Sequence, residues 1–138
     1  MSLTRRHIVK LATTGAAVGL LPAATFAQGA KKTLTLGLSA PITGNQAQYG
    51  EDIKRGAELA IAELNAKNTV PDITFQLAVE DSKGDPQEAA NVAQKFAARG
   101  DITAVIGDFS STASLAAAPI YQRAGIIMIT PTASHPDI

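Results

Sequence analysis

Two uninterrupted apolar runs, "ITAVIG" (Ile102–Gly107) and "GIIMIT" (Gly125–Thr130), lie one helix length apart near the end of the chain. Runs without polar alternation are the mark of strands buried on both faces, which belong to parallel sheets covered by helices. "TLTLGLS" (Thr33–Ser39) alternates leucine with small residues and reads as an earlier strand. "ITFQLAVED" (Ile73–Asp81) reads as another, ended by "SKGDP". The intervals between these four stretches carry helical signals. From about Gln48 to Lys67, the apolar residues Ile53, Ala57, Ala60, Ile61 and Leu64 recur at helical spacing among Glu51, Lys54, Arg55, Glu58 and Glu63. Asp85-Pro86 starts a second helix as an acid cap followed by proline, with Ala89, Val92, Ala93 and Phe96 as its stripe and Gly100 as its stop. Ser111–Arg123 reads as a shorter third helix, disturbed by Pro119. The alternation predicts an α/β fold, a parallel sheet with helices on both faces wound by right-handed crossovers.

In such sheets ligands sit beyond the carboxyl ends of the strands. Ser39–Tyr49, Glu80–Asp85, Gly107–Thr112 and Thr130–Ser134 occupy those ends. Two of them carry hydroxyl clusters: Ser110, Ser111 and Thr112 after one apolar run, and Thr130, Thr132 and Ser134 after the next. Ser110 or Ser111 stands at the start of the third helix. There it either caps the helix or helps the helix's free N–H groups hold a carboxylate. Thr132 and Ser134 either complete that ring or belong to an ordinary turn. Tyr49, before Gly50, is either a staple against the first helix or an aromatic wall with a polar tip. Asp81, Asp85 and Asp108 suggest a cation site, but capping and solvated loop ends are the commoner work of aspartate in such places.

Enzyme readings have little material. "GDFSS" lacks the G-x-S-x-G elbow, and "GLSAPITG" does not fit G-x-G-x-x-G. There is no phosphate-binding G-x-x-x-x-G-K-[ST] loop, and beyond the first 30 residues His135 is the only histidine. No catalytic residue, metal or cofactor is expected, and the chain holds no cysteine for a disulfide or thiolate zinc site.

The first residues read as an export leader. "MSLTRRHIVK" is basic, "LATTGAAVGLL" is an apolar stretch of 11 residues, and "PAATFA" ends in small residues. The apolar stretch is too short for a bilayer, which needs about 20 residues. Residues 1–27 are therefore expected to be a signal peptide cleaved after Ala27. "TRRHIVK" resembles the twin-arginine motif, with Ile8 and Val9 where it favours Phe and Leu, so the ordinary secretory route stays open. Cleavage removes Arg5, Arg6 and Lys10 and no acid from 12 basic and 12 acidic side chains, leaving 9 against 12 and a net charge of −3. That balance gives no reason to expect nucleic acid or an anionic membrane as partner.

Assembled, "LGLSAPITGNQAQYGEDIKRGAELAIAELNAK", "VEDSKGDPQEAANVAQKF" and "AVIGDFSSTASLAAAPIYQRAGIIMITPTASHPDI" closely resemble the periplasmic branched-chain amino acid binding proteins. The resemblance implies two α/β lobes joined by a hinge and closing on a ligand, with residues 28–138 as an incomplete N-terminal lobe. It implies a periplasmic location, a small-molecule ligand (an amino acid or small carboxylate) and delivery to an ABC permease. Urea, amides and aromatic acids are ligands elsewhere in the family, and a sensor ectodomain of the same fold is the alternative. By motif, Ser111 and Ser134 match hydroxyls on the ligand's carboxylate, Thr132 matches a position of backbone contacts, and Tyr49 matches the aromatic beside the cleft. Some members carry a cysteine pair where this chain has Gly84 and Ser110. The groups for the ligand's amino end belong to the second lobe, which the chain does not reach before Ile138.

Overall fold

The computed structural model describes residues 31–138, so the expected leader lies outside the described residues. Strands β1 (Lys32–Ala40), β2 (Ile73–Asp81), β3 (Ile102–Ile106) and β4 (Ile127–Ile129) alternate with helices α1 (Ala47–Ala66), α2 (Pro86–Arg99) and α3 (Ser111–Ala124). All strand pairs are parallel, in the order β2-β1-β3-β4. From β1 the chain steps one way to β2, then returns across β1 to β3 and onward to β4. Right-handed crossovers therefore place α1 on one face and α2 and α3 on the other.

The core lies on the α2–α3 face. Ala89, Ala93, Ala113 and Ala117 are small enough to let the two helices approach, and Phe96 and Tyr121 fill the space against Val105 and Ile102. Phe96 is fully buried, worth about 2–3 kcal/mol in transfer alone. Ile102 and Val105 are three apart, which simple strand alternation would put on opposite faces. A register shift resolves this: Thr35 pairs with Ile102 but Leu36 pairs with Ala104, so Thr103 bulges out and is exposed.

Helix ends follow the residues predicted for them. Asp85 caps α2, accepting from the N–H groups of Gln87 (2.8 Å) and Glu88 (3.0 Å), and Gly100 leaves it at φ 72°. Ser110 caps α3, so Ser111 is its first helical residue. The helix runs on through Pro119, which is exposed. At the β2 edge the Asn65 side chain pairs with both backbone groups of Phe75, each at 2.9 Å, in place of a further strand.

Two expectations need correction. "ITAVIG" and "GIIMIT" are not covered on both faces among the described residues. α1 lies over β1 and β2 and touches neither β3 nor β4. Ile127 and Ile129 are consequently 64% and 68% exposed, while Met128, pointing the other way, packs against the core. In α1, Ala57 is buried and Ile53, Ile61 and Leu64 are half-buried, but Ala60 is exposed. The helix turns a narrower stripe to the sheet than the periodicity suggested.

Candidate functional site

The loops after β1 and β3 leave the sheet in opposite directions, which opens a crevice at the carboxyl edge between these neighbouring strands. The ring of Tyr49, on the first turn of α1, stacks on Phe109, on the loop between β3 and α3, with centroids 5.3 Å apart and planes 16° from parallel. Tyr49 is 59% exposed beside that stack. With Asp52, Ile53, Phe109 and Thr132 it lines a largely apolar cleft of about 440 Å³.

Gly50 permits this placement. A Cβ there would collide with the Pro41 carbonyl, so only glycine lets the first turn of α1 sit against the end of β1.

The α3 N-terminus stands beside the cleft. Ser110 Oγ accepts the Ala113 N–H at 3.2 Å, and the Ser110 carbonyl takes the Ser114 N–H at 3.0 Å. The N–H groups of Ser111 and Thr112 find no acceptor among the described residues, as expected of a helix start. Ser111 Oγ accepts the Ser134 N–H at 3.3 Å, which leaves its own proton free to donate. Thr132 Oγ1 donates to the Phe109 carbonyl at 2.9 Å. That bond ties the loop after β4 to the loop before α3, so the Thr132 hydroxyl is already engaged. Ser134 is exposed, and its Oγ has no hydrogen-bond partner among the described residues.

Tyr49 and Thr132 thus share the cleft, while Ser111 and Ser134 meet next to it at the helix start. Phe109 is the residue that sequence reasoning missed. It joins the two groups, touching Tyr49 through its ring and Thr132 through its carbonyl. The available signal was an aromatic inside a loop, in a chain with only 4 phenylalanines and 2 tyrosines.

The three aspartates have hydrogen-bonding roles. Asp81 accepts from the Ile42 N–H (2.9 Å), the Thr43 N–H (3.3 Å), the Thr43 hydroxyl (2.5 Å) and the Lys83 N–H (2.9 Å). Burial pushes its carboxyl up, but the Thr43 hydroxyl and the three N–H groups together hold it below the usual value. Asp85 is the α2 cap. Asp108 is buried and accepts from the Ser82 hydroxyl and from the Ser110 N–H at 3.1 Å. There burial wins over these bonds and its carboxyl is pushed up. Among the described residues, no group of three or more His, Cys, Asp or Glu side chains is placed to hold a metal ion.

Comparison with known proteins accords with this fold. The Leu/Ile/Val-binding protein homolog 2 of Brucella abortus is 41% identical over 103 residues, 75% of this chain and 28% of the relative. A putative branched-chain amino acid ABC transporter protein of Rhodospirillum rubrum superposes with a TM-score of 0.74 at 37% identity, over 77% of this chain and 31% of that one. The substrate binding protein LivJ of Streptococcus pneumoniae, solved in complex with isoleucine, gives 0.72 at 30% identity, over 76% and 30%. The chain therefore spans about a third of the length of these relatives. A family profile described as "Periplasmic binding protein" matches residues 33–138, and the chain belongs to that family.

Proposed function

We propose that this chain is the N-terminal lobe of an extracytoplasmic solute-binding protein that delivers a branched-chain or related amino acid to an ABC permease. The observation that carries the reading is one juxtaposition. Two free N–H groups and the Ser111 hydroxyl, at a helix start suited to a carboxylate, lie beside an apolar cleft walled by Tyr49, Ile53 and Phe109. A zwitterion with an apolar side chain has both parts. The carboxylate sits on Ser111, with Ser134 as second hydroxyl, and Thr132 holds the loop in place. The side chain lies against Tyr49 and Phe109, and the amino end is held from a second lobe. The site binds its ligand and releases it, in keeping with relatives named as binding proteins. The relatives' names, among them a protein solved with isoleucine, support the ligand class.

Residues 1–27 act as the leader that takes the protein to the periplasm, by the twin-arginine route. Replacing Arg5 and Arg6 together by lysine is expected to block export. Normal export of that variant would assign the protein to the ordinary secretory route.

Calorimetry of the intact protein with leucine, isoleucine, valine, urea and an aromatic acid tests the ligand assignment. Binding of one or more of the three aliphatic amino acids is expected. Binding of the aromatic acid alone would transfer the assignment to aromatic carboxylates, and no binding by any of the five would overturn it.

A further inference from the structure

Asp108 is a buried carboxylate without a cation. Its side chain is essentially inaccessible, and no lysine, arginine or histidine forms an ion pair with it among the described residues. What surrounds it is neutral or of like charge. Ser82 faces it from the loop after β2, Ser110 from the α3 cap, and Asp81 adds a second negative charge from the end of β2. Tyr121 faces it from α3, its buried hydroxyl having no partner among the described residues. Ser114 reaches the Asp108 carbonyl from the same helix at 3.0 Å. Burying a lone carboxylate is expensive, and what favours it here is the positive end of α3, reached through the Ser110 N–H.

That same helix end is where the proposed ligand places its carboxylate, on the N–H groups of Ser111 and Thr112. Two anions would then share one partial positive charge, one from beneath and one from the rim. Like charges at a shared site cannot both stay ionised cheaply, and the usual outcome is that one takes a proton. Asp108 is the one able to do so without losing its bonds. As an acid it donates from Oδ2 to Ser82 Oγ and still accepts the Ser110 N–H on Oδ1.

Resting on the reading of this rim as a carboxylate clamp, we infer that Asp108 sets the affinity of the clamp and takes up a proton when the ligand's carboxylate docks. Ligand binding is then proton-linked. Affinity rises as pH falls, because the protonated form no longer opposes the ligand, and falls as pH rises and Asp108 becomes fully ionised. Asp52 lines the cleft itself and His135 follows Ser134 on the loop after β4, and a variant at Asp108 separates their contributions from its own.

The test is calorimetry of the intact protein with leucine in two buffers of different ionisation enthalpy, alongside Asp108→Asn. The asparagine keeps the shape and a hydrogen bond to each neighbour, but not the charge. Wild type is expected to take up a measurable fraction of a proton per leucine at neutral pH. The variant should take up less and bind on the order of tenfold tighter, the equivalent of about one pKa unit. Equal proton uptake by the two proteins, or none in wild type with leucine bound, would overturn the inference. A second readout needs no ligand and no variant. The Ser110 amide resonance, followed through a pH titration of the free protein, should report Asp108 ionising above the ordinary carboxylate range. If leucine does not bind at all, the clamp reading fails. A Ser110 titration with an ordinary carboxylate midpoint would overturn the Asp108 assignment itself.

Discussion

On the loops after β1 and β2, the carboxylates at the edge of the sheet are supplied with donors. Asp81 takes four and Asp85 takes two. On the loops after β3 and β4, the N–H groups of Ser111 and Thr112 and the hydroxyl of Ser134 are left without partners among the described residues. Both halves are built of turn and cap residues of the same kinds. The difference lies in what remains unpaired once the backbone is satisfied. The carboxylates of the first half hold loops, and the free N–H groups and hydroxyls of the second stand beside an apolar cleft.

Substitutions in the first half should cost fold stability. The largest effect is expected from Gly50→Ala. Alanine is the better helix former by about 1 kcal/mol, but its Cβ meets the Pro41 carbonyl, a backbone atom that cannot swing away. Overpacking against backbone should outweigh the propensity gain, for a net loss of about 3 kcal/mol in denaturant unfolding. Asp81→Ala should follow at about 2 kcal/mol, because it strips the Ile42, Thr43 and Lys83 N–H groups of their acceptor. Asp81 also gives the fold a pH dependence of known sign. Its folded carboxyl is depressed, so its contribution is fully present above the ordinary aspartate range and is lost as pH falls through the folded value. In wild type, stability should therefore drop below about pH 4 more steeply than in Asp81→Ala. Asp85→Ala should cost about 1 kcal/mol, the usual value of an N-cap. Asp81→Ala and Asp85→Ala should leave ligand affinity unaltered at a temperature where they are folded, whereas Gly50→Ala, which displaces the first turn of α1 that carries Tyr49, should weaken binding as well.

The element order, the sheet type and the helix stops were legible because periodicity and cap chemistry are local. Asp85-Pro86, Gly100 and the runs at 102–107 and 125–130 each carry their own signal. Covering is not local. The four residues of "IIMI" look alike in sequence, yet Met128 packs inward and Ile127 and Ile129 face outward where α1 does not extend. The bulge at Thr103 was equally hidden, since only pairing with β1 reveals that Ile102 and Val105 share a face. At the rim, the sequence pointed to loops that the structure brings together but left Ser110 and Ser111 interchangeable. A cap is defined by backbone geometry, and the extended conformation of Ser110 decides between them. Phe109 escaped because its part in the site comes from stacking on a residue 60 positions away in the chain.

Ser111→Ala is the substitution that sets the two halves against each other most directly. Its hydroxyl accepts only one long bond, from the Ser134 N–H, and Ser110 does the capping. Removing it should change unfolding free energy by less than about 0.5 kcal/mol. The decisive measurement is ligand affinity by calorimetry in the intact protein, paired with unfolding of the same sample. Affinity should fall by about 1.5–3 kcal/mol, the range for a hydrogen bond to a charged group. A loss of stability as large as the loss of affinity, or an affinity equal to wild type, would contradict the assignment of this half of the rim to the ligand.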